Sequence, residues 1–104
     1  MTFVARIAVL EPVPETRELL ERLIARAGHE IVDEDADVVI LEPLGRVARR
    51  TVRMRHPRAA VVVASIVPPG PGDPPAAARL LQPFVSAELR RAIDAALAQP
   101  ALPA

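Results

Sequence analysis

An α/β fold built on one mostly parallel sheet is what this sequence predicts, and three observations carry the prediction. Short runs of Val, Ile, Leu and Ala alternate along the chain with longer stretches of helical periodicity. The runs are apolar throughout instead of alternating with polar residues, as strands buried on both faces require. The 104 residues hold one domain and one core, with little left over.

Taken in order, RIAVL at residues 6–10 is the first strand, ended by Glu11-Pro12. Residues 14–27 read as a helix, because Leu19, Leu20, Leu23, Ile24 and Ala27 recur at helical spacing. Glu15 and Glu18 sit in its first turn, where the helix dipole favours acids, and Gly28 is placed to end it. Residues 30–32 make a minimal second strand, and DVVIL at 37–41 a third, ended by Glu42-Pro43. Residues 44–55 read as a helix with Val47, Ala48 and Val52 inward, and AVVVASI at 60–66 is the clearest buried strand. The segment PPGPGDPP at 68–75 carries five prolines and two glycines, which excludes regular helix and central strand. A short fifth strand at 79–81 precedes Gln82-Pro83-Phe84. Ser86 then caps a last helix reaching Leu97, with Leu89, Ala92, Ile93, Ala96 and Leu97 on one face. The domain is expected to span 1–98, followed by a flexible C-terminal tail at 99–104.

Composition excludes several classes. Thirteen basic and 13 acidic residues cancel to a formal charge of zero, so no global field draws the chain to nucleic acid or to a membrane surface. Low net charge favours self-association instead. There is no Cys, hence no disulfide or thiolate chemistry. The longest apolar run, residues 59–64, is far too short to cross a bilayer, and no signal-peptide pattern opens the chain, so a cytoplasmic location is expected. All 13 basic residues are Arg and none is Lys.

In this order the segments resemble the receiver domain of bacterial response regulators, a flavodoxin-like fold, over nearly the full length. RIAVLEPVPETRELLERLIARAGHEIV is similar to a receiver's first strand, acidic turn and first helix. DVVILEP matches the strand that ends in the phospho-accepting aspartate, and AVVVASI the strand that ends in a hydroxyl residue. RLLQPFVSAELRRAIDAAL is similar to the lysine-proline-aromatic corner and last helix, and is the most specific of these matches.

The departures sit where a receiver does its chemistry. The resemblance implies an acid pair that holds magnesium after the first strand, and here it reads Glu11 and Pro12. It places the phospho-acceptor on Glu42, whose carboxylate reaches one methylene further, so a phosphoryl group would sit away from the oxygens meant to stabilise it. Ser65 suits the hydroxyl position. The phosphoryl-pairing lysine falls on Gln82, and a chain without Lys offers no substitute. Phosphotransfer is not expected, and no cofactor or metal is assigned.

The expected fold is also reduced, with four to five strands and with the second and fourth receiver helices missing or vestigial. Only four residues separate Val32 from Asp37, where a parallel crossover ordinarily takes a dozen or more. The second strand is therefore either vestigial or paired in another way, and the proline-rich stretch replaces most of the fourth helix. A sheet face thinned in this way exposes apolar surface and predicts self-association or a docked protein partner.

Other candidates have plainer readings. Glu11 and Glu42 both stand in Leu-Glu-Pro and are expected at adjacent strand ends, where they are solvated remnants, a divalent-cation pair, or a permanent imitation of the phosphorylated acid. Ser65 and Gln82 suit structural hydrogen bonds across that pocket. His29 and His56 lack ligand spacing. Arg46, Arg49, Arg50, Arg53, Arg55 and Arg58 form a basic cluster that reads as a solvated face or protein interface, offset by six acids between Glu30 and Glu42.

The function these readings support is non-enzymatic: a stand-alone pseudo-receiver, without an output domain, acting through protein–protein contact or a homodimer. Its expected surface comprises the thinned face, the proline loop at 68–75, the corner at Gln82, Pro83 and Phe84, and Arg46, Arg49, Arg50 and Arg53 of the basic helix. Two alternatives from other classes are a ligand-binding or enzymatic flavodoxin-like domain using the strand-end pocket, and nucleic-acid binding by the Arg-rich helix. No glycine-rich phosphate loop follows the first strand, and no aromatics interleave the arginines.

Overall fold

The computed structural model describes residues 4–11, 13–41, 46–65, 78–81 and 86–98, with the backbone alone at 46–49, 65, 79 and 81. Five strands and three helices follow one another as β1 (Arg6–Leu10), α1 (Pro14–Arg26), β2 (Glu30–Ile31), β3 (Val38–Leu41), α2 (Arg46–Arg55), β4 (Ala60–Ser65), β5 (Ala78–Leu81) and α3 (Ser86–Leu97). The strands form one sheet in the order β2-β1-β3-β4-β5, and every pair is parallel. Element boundaries fall within two residues of those read from the sequence.

The pleat divides the side chains between two cores. Ile7, Val9, Val38, Ile40, Val62, Ala64 and Leu80 point to the face covered by α1 (Leu20, Ile24) and α3 (Leu89, Ala92, Ile93, Ala96). Ala8, Val39 and Leu41 point to the opposite face and pack with Val52 of α2, Ala36 and Ala59. All four residues of β3 are buried, which is why VVIL carries no polar alternation. Leu19 departs from the expected apolar stripe of α1: it is exposed, because the stripe that meets the sheet is centred on Leu20 and Ile24.

The helix ends follow local chemistry. Val13, Pro14 and Glu15 open α1, with proline where no amide hydrogen is needed and an acid in the first turn. At its other end Gly28 takes a φ of +89°. The His29 amide reaches Ile24 O at 3.2 Å and the Gly28 amide reaches Ala25 O at 3.0 Å, so two carbonyls of the last turn are satisfied.

The short link expected after the second strand is real, and of the two expectations for β2 the vestigial one holds: it is two residues long and paired parallel to β1, not in another way. β2 runs parallel to β1, with Ile31 opposite Ile7, while Val38 of β3 lies opposite the same Ile7 on the other side. Residues 32–37 therefore return across β1 with no helix among them. They do so on the second face, where Ala8 is small enough to let Ala36 and Val32 pack against it. The expected loss of the fourth helix, the proline-rich stretch and the tail at 99–104 lie outside the described residues.

Thinning of the second face leaves half-buried side chains instead of an open apolar sheet. Among the described residues, Leu10, Val32, Val61 and Val63 are half-buried there.

Candidate functional site

Parallel register gathers four strand ends at one edge of the sheet. Leu10 pairs with Leu41, Leu41 with Val63, and Ser65 with Leu81. Glu11 directly follows the first of these, at the edge where open α/β sheets place their functional residues. Ser65 lies in β4 at that edge, with its backbone alone described. Pro12, Glu42, Gln82, Pro83 and Phe84 lie outside the described residues, so Glu11 is the one expected pocket side chain whose placement is on view.

Glu11 is buried, 7% exposed, and not a solvated strand-end acid. Its Oε1 accepts a hydrogen bond from the Val13 amide at 3.2 Å. The sequence explains this turn of the side chain. In Glu11-Pro12-Val13-Pro14 both prolines lack an amide hydrogen, so Val13 carries the one donor between Glu11 and the body of α1. Val13 is the residue before the helix and has no side-chain cap of its own. The carboxylate of Glu11 satisfies that donor and places negative charge at the positive end of the helix dipole.

A receiver-type magnesium site does not fit this arrangement. Magnesium takes a near-octahedral set of oxygens and is held by carboxylates. After β1 the chain supplies Glu11, bonded to its own helix start, and then Pro12, which has no side-chain carboxylate. Among the described residues no group of three or more His, Cys, Asp and Glu could hold a metal ion.

At the opposite end of the strands, polar side chains that the sequence left without a role hold the short crossover. The His29 Nδ1 accepts the Ala5 amide at 3.0 Å. Asp37 Oδ2 accepts the Arg6 amide at 2.9 Å, while the Asp37 amide donates to Arg6 O at 2.7 Å. The Asp35 amide donates to Arg55 O, the last carbonyl of α2, at 2.9 Å, with Asp35 at a φ of 53°. His56 is 2% exposed, and its Nδ1 accepts the Ala36 amide at 3.1 Å. Its Nε2 has no hydrogen-bond partner among the described residues. Burial, and secondarily the Arg55 guanidinium, push the His56 imidazole below the usual histidine range, against the opposing pull of Asp35, Glu34 and Asp33. His29 and His56 are structural acceptors. No metal-ligand spacing could have announced that role.

Of the basic cluster, Arg50, Arg53, Arg55 and Arg58 are exposed, and Arg46 and Arg49 lie in the first half of α2. A cleft of about 340 Å3 opens beside the crossover, with Ala8, Leu10 and Val32 in its lining and Arg17, Glu21, Asp33 and Arg55 as its charged residues.

This sheet order, with α1 and α3 on one face and α2 on the other, is the receiver fold of response regulators. Comparison with solved structures gives the same answer. The chain is similar to a LuxR-family two-component response regulator from Aurantimonas sp. SI85-9A1, with a TM-score of 0.72 and 24% identity over 95% of this chain and 89% of that one. It is similar to the receiver domain of sensor histidine kinase PA1611 from Pseudomonas aeruginosa PAO1, which has magnesium in its active site cleft; the TM-score is 0.72, with 16% identity over 93% of this chain and all of that one. It also matches NtrX from Brucella abortus with a TM-score of 0.71 and 20% identity over 92% of its own length, but spans only 26% of NtrX. Neither a family model nor a curated sequence relative matches the chain. Among the described residues no helix is long and apolar enough to cross a membrane.

Proposed function

We propose that this chain is a pseudo-receiver: a signalling or regulatory domain of the cytoplasm that is not an enzyme and works by protein–protein contact without phosphorylation. The observation that carries this reading is Glu11, buried at the end of β1 and bonded to Val13, next to a proline where a receiver's second acid belongs. With Gln82 at the position of the phosphoryl-pairing lysine, the chain offers neither the metal nor the cation that phosphoryl transfer relies on for electrostatic stabilisation. Contact with partners, or with a second copy, uses the exposed side of α2 together with Pro83 and Phe84.

Intact mass and thermal melting, read after incubation with phosphoramidate or acetyl phosphate and excess magnesium, test the reading. The expected result is no phosphoryl adduct and no change in melting temperature. A stable adduct on Glu42, or a firm magnesium affinity by calorimetry, overturns it.

A further inference from the structure

The exposed side of α2 is unusual for its chemistry. Among the described residues its most exposed large apolar side chain is Met54, 77% exposed, with the exposed Arg50 one helical turn before it and the exposed Arg53 next to it in sequence. Val52 is buried against the sheet, so Arg50 and Met54 stand on the side turned away from it and Arg53 on the flank. A long apolar side chain stacked beside a guanidinium on the exposed side of a helix gains nothing from water. It is suited to packing inside a ring of charge pairs, the pattern of a contact whose centre excludes solvent.

The crossover supplies the opposite charge next to it. Asp33, Glu34 and Asp35 are three consecutive exposed acids. They are joined to the end of α2 by the Asp35 amide on Arg55 O and the Ala36 amide on His56 Nδ1. One continuous surface therefore has a basic half on α2 and an acidic half on the crossover. The two halves lie side by side, joined where Asp35 meets the end of α2. Two-fold rotation about an axis near their junction lays each basic half on the acidic half of another copy, the self-complementary arrangement that closed dimers use. Nucleic acid is a poorer occupant, since a phosphate backbone drawn to Arg50 and Arg53 would be repelled by the adjoining acids, and the chain's formal charge is zero.

We infer that α2 and the crossover form a homodimer surface, in which Arg50 and Arg53 of one copy pair with Asp33 and Glu34 of the other around Met54. This rests on the protein-contact reading above and names its partner as a second copy of the chain. Because the pairs lie at the rim of the contact, association is salt-dependent: the screening length shrinks from about 10 Å at 0.1 M salt to about 3 Å at 1 M.

A charge exchange tests the pairing. Two variants of the full chain, Arg50→Glu/Arg53→Glu and Asp33→Arg/Glu34→Arg, are measured by light scattering alone and as an equimolar mixture, after melting curves establish that each folds. Wild type is expected to show twice the monomer mass at about 0.1 M salt and to lose it near 1 M. Each variant alone is expected to be monomeric. Their mixture is expected to recover a dimer, because both contacts of the two-fold interface become complementary again. If a charge variant fails to fold, Met54→Asp, a single change at an exposed position, is expected to give a folded monomer.

A wild type that is monomeric at every salt concentration overturns the inference. So does a dimer that both variants and Met54→Asp retain, a mixture that stays monomeric, or an oligonucleotide-binding activity that Arg50→Glu/Arg53→Glu abolishes in a monomeric wild type. None of these outcomes depends on phosphorylation, so a failed dimer and a phosphorylated Glu42 are distinguishable results.

Discussion

At the scale of single residues, His56 makes the most demanding commitment. Its Nδ1 accepts the Ala36 amide, so the neutral ring carries its hydrogen on Nε2, and that atom is buried without a partner among the described residues. A proton added at Nδ1 would set two donors against each other across 3.1 Å. The folded chain therefore resists protonation more than the unfolded chain does, in keeping with the lowered affinity that burial and Arg55 impose on the imidazole. The sign follows from linkage. Below about pH 6.5 the unfolded state binds a proton that the folded state refuses, so stability is full above that value and falls as pH drops toward the folded-state pKa. Urea titrations between pH 7.5 and 5.5 should show this decline in wild type. His56→Asn keeps an acceptor near the Nδ1 position without the titration, and should flatten the curve. His56→Leu, which leaves the buried Ala36 amide unpaired, should cost about 1–3 kcal/mol at pH 7.5. A wild-type curve flat over this range would remove His56 as the pH-sensitive group.

The crossover shows how an element can be held without regular structure. β2 is two residues long and the return to β3 takes six, too few for a helix that would tie them together. In its place, side chains on either side of β2 take two amides at the start of β1: His29 binds Ala5, just before the strand, and Asp37 binds Arg6, its first residue. Loss of either acceptor releases one edge of the pairing around β1. His29→Leu should destabilise the chain by about 1–3 kcal/mol in urea unfolding, because the Ala5 residue it serves is wholly buried. Asp37→Ala should cost about 0.5–1.5 kcal/mol, and Asp37→Asn, which keeps a side-chain acceptor, distinctly less. Equal stability of Asp37→Ala and wild type would show that this bond contributes nothing. These particulars also mark what the sequence could say. β1, β3, β4, α1 and α3 were legible because apolar runs and helical spacing are local patterns, and the missing second helix was legible from chain length alone. The holding bonds were not. They join residues 20 to 31 positions apart, and a lone His or Asp carries no sign of such a partner. Glu11 was legible as a strand-end acid, but its burial depends on Val13 being the one amide between two prolines. Leu19 misled because it sits one position off the stripe that meets the sheet.

Over the whole molecule, stability is distributed unevenly, and the unevenness lies next to the surface inferred to pair two copies. β3 is buried along its full length and bonded on both sides, by β1 and β4. Residues 33–37 bury only Ala36 and hold on through a few bonds to Arg6, Arg55 and His56. An element with little apolar burial and few anchors opens before the core does. Native-state hydrogen exchange should therefore find the Asp35 and Ala36 amides less protected than Val39 and Ile40 by at least about tenfold, equivalent to about 1.4 kcal/mol. The gap should widen as pH falls below about 6.5, because protonated His56 cannot accept from Ala36 while the β3 ladder contains no titrating group. Dimerisation should narrow the gap, since a second copy seated on Asp33 and Glu34 stabilises the closed crossover by mass action. Raising the protein concentration at low salt, and comparing wild type with Arg50→Glu/Arg53→Glu, separates that contribution from His56. Protection of Asp35 and Ala36 equal to that of Val39 at pH 7.5 would mean that the crossover opens only with global unfolding. The acidic half of the surface would then be as rigid as the sheet, with neither pH nor a second copy left to order it.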